Sequence, residues 1–203
     1  NTFKNGTNLD TGTYFLVTGT RMASGNVKES HQIFNIVEGQ TTTLDLTLRT
    51  SKTEISVIGN FDSESKFVKD GQEVSILSQT GRGYFVLGLI GVGQEPTNHT
   101  LRDIAKLKDE FDRLGRPFVL LFESEAEAKK FKPSDFGVLP NKTIFGIDKD
   151  GTIKKQIVAQ MKLQDARRLP IFIIADTFNR VVFLSQGYTI GLGEQLYNTL
   201  NKL

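Results

Sequence analysis

The chain has 203 residues, 38% hydrophobic and 24% charged, with a formal net charge of +2. This is a globular composition, long enough for one large domain or two small ones, and 25 basic against 23 acidic side chains give no clustered basic face for nucleic acid. The absence of cysteine excludes a thiol nucleophile, a disulfide framework, a thiolate metal site and a dithiol redox couple, and no apolar run reaches the roughly 18–20 residues of a membrane span.

The opening residues Asn1, Thr2 and Phe3 lie in loop or strand sequence without a leading Met, so the expectation is a piece of a longer polypeptide, with a mature chain after processing as the competing reading. Residues 1–50 read as β. Tyr14, Phe15, Leu16 and Val17 form a β-rich run bounded by Gly12 and Gly19, and residues 24–26 signal a turn. A second strand covers residues 32–37, and residues 41–49 alternate apolar and polar with the period of a half-buried strand. Three or four such strands are too few to close a β-sandwich, which predicts a partial sandwich over residues 1–52 with its missing strands upstream. The junction falls at Thr50, Ser51 and Lys52.

Residues 53–203 read as α/β. Strands are expected over residues 54–61 and 73–77, with a polar turn or insertion over 62–72, and the nearly continuous apolar run of residues 84–90 predicts a central strand buried on both faces. Residues 100–114 place Leu101, Ile104, Leu107, Phe111 and Leu114 mostly along one helical face, with Gly115 as the stop. Residues 118–122 form the next buried strand. Ser124 and Glu127 have the spacing of a capping box for a short helix ending near Phe131. Residues 143–147 and 152–158 flank Asp148, Lys149, Asp150 and Gly151 as a predicted hairpin. A second hairpin pairs residues 171–175 with 181–184, and a terminal helix spans 193–203 with Leu196, Tyr197, Leu200 and Leu203 inward. Strands and helices in this order give a mixed central sheet with flanking helices.

Two places in this segment resemble the thioredoxin-like fold. Arg167, Arg168, Leu169 and Pro170 precede a hairpin and a closing helix, as the cis-proline loop does in that family. Counted back from the first long helix, Gln94, Glu95, Pro96 and Thr97 stand at the Cys-x-x-Cys position, with proline where many thioredoxins have it and both cysteines missing. The resemblance implies the fold without thiol–disulfide exchange, since neither Gln nor Thr supplies a thiolate. It also implies a peptide groove beside Leu169 and Pro170, facing residues 94–97, unless the cis-proline serves only to shape the loop, which is the more ordinary role. Residues 78–84, 91–98 and 173–180 are further similar to the carboxy-terminal region of bacterial transglutaminase-like superfamily proteins. Those are large exported proteins with a papain-like Cys-His-Asp domain. That resemblance implies a catalytic domain upstream, export to the periplasm or cell surface, and the upstream domains of the same polypeptide as partners.

The remaining motifs read as structure. Gly88, Gly91 and Gly93 match neither a dinucleotide-binding nor a phosphate-loop pattern and suit a tight strand-to-helix turn. Residues 148–151 carry their glycine too early for a calcium loop and lack its closing glutamate. His31 is placed on a surface strand, and the basic pairs at residues 129–130, 154–155 and 167–168 are solvated surface. His99 lies beside the degenerate motif, where Glu95, Thr97 and Thr100 also serve as ordinary helix-start residues. The acidic residues Glu123, Glu125 and Glu127 suit a helix amino terminus.

The expected function is therefore a non-catalytic structural or protein-binding module, not an enzyme, with no cofactor and no metal, whose partners include an extended peptide or protein. Two alternatives stand beside it. One is a Cys-independent enzyme using polar residues between Gln94 and His99, which requires a His, a carboxylate and a hydroxyl in mutual contact. The other is a carbohydrate- or surface-binding module on the β segment, which requires exposed aromatics where Tyr14, Phe15 and Phe34 read as buried.

Overall fold

A computed structural model describes residues 9–21, 27–44, 49–51 and 56–203. The chain divides into two compact units, Asn1–Glu54 and Ile55–Leu203. The first holds strands β1 (Gly12–Arg21), β2 (Val27–Ile36) and β3 (Arg49–Ser51) in one antiparallel sheet of that order. Among the described residues this is a single sheet, without the second layer that a sandwich needs. Tyr14 pairs across the ladder with Phe34, and their rings stack at 5.8 Å. Both are half-buried rather than buried, because one sheet alone covers only one side of a ring. Residues 41–44 are not strand. Residues 45–48, the expected junction residue Lys52, and the side chains of Phe15 and His31 lie outside the described residues.

In the second unit the elements run β4 (Gly59–Asn60), β5 (Lys66–Lys69), β6 (Gln72–Ser75), α1 (Ile76–Thr80), β7 (Tyr84–Leu89), α2 (Glu95–Lys106), α3 (Lys108–Leu114), β8 (Phe118–Phe122), α4 (Glu125–Lys130), β9 (Thr143–Ile147), α5 (Thr152–Gln160), β10 (Ile171–Asp176), β11 (Arg180–Gln186) and α6 (Leu192–Leu200). They build one mixed sheet of order β4-β11-β10-β7-β8-β9-β5-β6, in which β7, β8 and β9 are parallel and β10 and β11 antiparallel.

The apolar strands are buried on both faces, and their alternate residues feed two cores. Phe85, Leu87, Leu89, Val119, Leu121, Ile171 and Ile173 pack with Ile76 of α1 and Ile153 and Ile157 of α5. Val86, Leu120, Phe122, Phe172 and Ile174 pack on the other side with Leu101, Ile104 and Phe111 of α2 and α3 and Leu192, Leu196 and Leu200 of α6. Gly88 permits this second core to close, since a Cβ there would stand 2.6 Å from Phe172 Cε1 and 2.9 Å from Leu120 Cδ2.

Several expected elements differ. The run 152–158 is helix, not the second arm of a hairpin. Asp150 and Gly151 take left-handed backbone, and the Asp148 carboxylate accepts the N–H groups of Ile153 at 2.9 Å and Lys154 at 2.8 Å. Residues 62–72 contain a hairpin, with Asp70 and Gly71 at its left-handed turn. The strand expected over 73–77 stops at Ser75, whose hydroxyl caps α1 by accepting the Ser78 N–H. Residues 100–114 belong to two helices, broken at Leu107. Of 54–61 only Gly59 and Asn60 are strand, and 54–55 lie outside the described residues. The Ser124 cap forms as expected, its hydroxyl accepting the Glu127 N–H.

Candidate functional site

Chain direction places the site. β7 runs to Leu89 and the chain then turns into α2, while the antiparallel β10 starts at Ile171 opposite Leu89. Continuing the pairing backwards from Ile171 brings Pro170 and Leu169 to the same sheet edge as Ile90 and Gly91. β11 leaves that edge through Gln186, which is opposite Ile171, and the Gly187 N–H donates to the Pro170 carbonyl at 2.7 Å. Three segments thus meet at one end of the sheet: residues 91–99, Leu169 with Pro170, and residues 187–190. The Leu169–Pro170 peptide bond is cis.

Residues 94–97, expected at the Cys-x-x-Cys position, are committed to the turn that starts α2. Thr97 is 1% exposed, and its hydroxyl accepts the Gly91 N–H at 3.2 Å. Thr100 donates its hydroxyl to the Pro96 carbonyl at 2.9 Å, and Pro96 stands in the first turn, where a missing N–H costs nothing. Gln94 is the N-cap residue, but its side chain does not cap the helix. It folds back over Gly91, where a Cβ would lie 2.5 Å from the Gln94 amide. A glycine at 91 is what leaves room for that amide.

His99 follows on the next turn. Its ring lies 5.2 Å from that of Tyr188, and its Nε2 is 3.8 Å from Asp103 Oδ2, beyond hydrogen-bond length. Asp103 is also paired with Lys106 at 3.1 Å. The two threonine hydroxyls nearest in sequence are bonded to backbone, so the His–carboxylate–hydroxyl contact required of a Cys-independent catalytic cluster is not assembled between Gln94 and His99.

Leu169 is 4% exposed, and neither its N–H nor its C=O has a hydrogen-bond partner among the described residues. Sequence reasoning named Leu169 and Pro170 but missed the flank supplied by residues 187–190. Arg168 lies over Gly187, while Tyr188 and Ile190 are 44% and 78% exposed. The only signal for that flank was its place directly after the last strand, ahead of a helix. Among the described residues no three His, Asp or Glu side chains are placed to hold a metal ion. No helix of the described residues is long and apolar enough to cross a membrane.

No family model matches the chain, and no curated protein matches its sequence. Solved structures do match its fold. The bacterioferritin comigratory protein of Xanthomonas campestris, studied for alkyl peroxide reduction, is 12% identical with a TM-score of 0.51, over 68% of this chain and 90% of that one. A protein described as the thiol:disulfide interchange protein DsbE of Chlorobium tepidum is 14% identical with a TM-score of 0.52, over 70% and 96%. Peroxiredoxin Q of Xanthomonas campestris is 11% identical with a TM-score of 0.51, over 68% and 90%. The fold is thioredoxin-like, α/β with a mixed sheet and flanking helices, beside a small separate antiparallel sheet. The expectation that the chain is not an enzyme is corrected by these matches. It rests on missing cysteines alone, and the fold is one shared with peroxide-reducing and thiol:disulfide interchange proteins. At such identities the likeness shows the fold and assigns no activity.

Proposed function

We propose that the Ile55–Leu203 unit is a protein-binding thioredoxin-like module that takes an extended polypeptide segment along Leu169 and Pro170. The observation that carries this reading is the unpaired backbone of Leu169. Buried backbone N–H and C=O groups are nearly always paired, and both groups of this residue lack a protein partner among the described residues. They lie at the end of a sheet strand, where an added strand makes main-chain hydrogen bonds and flanking side chains select residues. Tyr188 and Ile190 supply exposed apolar flanks for that selection. Thiol exchange would need a thiolate, which none of these 203 residues provides.

The test is titration of isotope-labelled protein with unstructured peptides, read from amide shifts of Leu169 and residues 187–190. Saturable shifts are expected, weakened roughly tenfold by the double variant Tyr188→Ala, Ile190→Ala, which removes about 3 kcal/mol of apolar contact at most. An absence of shifts at millimolar peptide would end the proposal.

The wider setting we propose is the carboxy-terminal part of a larger exported transglutaminase-like protein, supported by the wording of residues 78–84, 91–98 and 173–180. Its test is the complete reading frame. An upstream Cys-His-Asp domain behind an export signal is expected, and a frame lacking both would refute it.

A further inference from the structure

The opposite end of the same sheet carries a different chemistry. The parallel strands β7, β8 and β9 begin there, and a recess of about 310 Å3 opens among Gln79, Arg82, Tyr84, Arg116 and Lys142. Three of its lining side chains are cationic and none is acidic.

The ordinary explanation for cations at this end is that helices α1 and α3 finish there, at Gly81 and Gly115, and basic side chains offset the partial negative charge of helix carboxyl ends. Lys142 does this, donating to the Gly115 carbonyl at 2.9 Å. The two arginines do not. Among the described residues neither Arg82 nor Arg116 has a carboxylate within 4.0 Å or a hydrogen-bond acceptor. The carboxylates on the flanking elements are already held by other cations, Asp112 by Lys108 at 2.6 Å and Asp176 by Arg180 at 2.6 Å. Two helix ends at about half a negative charge each leave roughly two positive charges uncompensated in the recess.

The placement of Arg116 is specific. Its guanidinium lies against Gly83, where a Cβ would stand 3.0 Å from Nη1, and Gly83 adopts a φ of +109° that few other residues tolerate. Gly83 is in turn fixed to Thr177, whose hydroxyl accepts the Gly83 N–H at 3.3 Å. A planar fork of donors, half-buried, lying against the Gly83 backbone and lining the same recess as a second arginine, suits a tetrahedral oxyanion through paired charge-assisted hydrogen bonds.

We propose that this recess binds a phosphate group, with Arg116 and Arg82 as its ligands and Lys142 adding charge from the rim. The site is independent of the peptide groove, since it lies at the other end of the strands and shares none of its residues.

The experiment is titration of the full chain with inorganic phosphate and, separately, with glycerol phosphate, at ionic strength held constant with chloride. The readouts are amide shifts of residues 79–84 and 115–117 and the thermal midpoint. Saturable shifts in the millimolar range or tighter are expected, together with a rise in midpoint. Tighter binding of inorganic phosphate identifies a free ion as the occupant, and tighter binding of glycerol phosphate identifies a phosphorylated molecule. Arg116→Ala is expected to weaken binding roughly tenfold or more, and Arg116→Lys to fall between it and the parent, because a lysine restores charge without the fork. The variant Arg82→Ala is exposed and serves where Arg116→Ala lowers stability by itself. Shifts that do not saturate in either arm, or equal affinity for the parent and the Arg82→Ala, Arg116→Ala double variant, would overturn the assignment.

Discussion

Asp148 offers the sharpest check on the packing of the larger unit. It is 2% exposed and gives one carboxylate oxygen to the Ile153 N–H and the other to the Lys154 N–H, the two donors at the start of α5. Asp148→Ala deletes both acceptors. Loss of a helix cap costs about 1 kcal/mol, and a buried N–H left unpaired about 1–3 kcal/mol more, while relief of the carboxylate's own burial offsets part. A net loss of about 2–3 kcal/mol follows, or about 5–10 °C in the thermal midpoint of a chain this long. Urea unfolding of the full chain, followed by a probe in the Ile55–Leu203 unit, measures it. Asp148→Asn adds a pH arm. Burial pushes the Asp148 carboxyl above its ordinary value, against the opposing pull of the two backbone N–H bonds and the Lys154 charge, with Glu123 adding to the rise. The folded protein therefore holds this proton more tightly than the unfolded chain, so the group's contribution is greatest below the unfolded value, near pH 4, and declines as pH rises through the raised folded value. The parent should lose stability relative to Asp148→Asn on going from about pH 4 to neutral. A cost below about 0.5 kcal/mol for Asp148→Ala would refute the capping argument, and a parent–Asn difference that grows with pH would refute the dominance of burial over the two backbone N–H bonds.

Three further outcomes are expected. Gly88→Ala should destabilise by about 1–3 kcal/mol in urea unfolding, because its methyl group would enter the space of Phe172 and Leu120. Asp176→Ala should lower the thermal midpoint and broaden the amide signals of residues 177–180, since this buried carboxylate accepts the Phe178 and Arg180 N–H groups as well as the Arg180 guanidinium. The double variant Gln94→Cys, Thr97→Cys should form an intramolecular disulfide on mild oxidation, detected as loss of two titratable thiols without dimerisation, if these positions correspond to the motif they resemble.

The buried strands were legible because their chemistry has one solution. Residues 84–89, 118–122 and 171–175 are almost wholly apolar, which only a sheet covered on both faces accommodates, and each lies in a strand with both sides in a core. The run 152–158 was not, because its β-branched residues and the Asp-Gly before it imitate a hairpin arm. Its true signal was spacing: Ile153 and Ile157 are four apart and both reach the core, as one helical face requires, whereas alternation fails at Lys154 and Lys155. The break at Leu107 was equally hidden, since apolar positions continue in phase across it and only the backbone at that residue departs from helix.

The site divides along the same line. Gln94, Thr97, Leu169 and Pro170 sit in segments whose order along the chain resembles the thioredoxin-like pattern, so sequence could name them as candidates. Tyr188, Ile190, Arg82 and Arg116 matter only because strands distant in sequence end side by side, and no local pattern marks them. Sheet direction is what separates the two ends chemically. Where the parallel strands finish, the chain leaves unpaired backbone at Leu169 beside the exposed side chains of Tyr188 and Ile190, the surface proposed for polypeptide. Where they start, two helices also finish, and the cations gathered there exceed what those helix ends need. Substituting Arg116 should therefore leave peptide titrations unchanged, and substituting Tyr188 should leave phosphate titrations unchanged. Cross-effects between the two pairs would show that the sheet couples its ends, contrary to two sites arising separately from strand polarity.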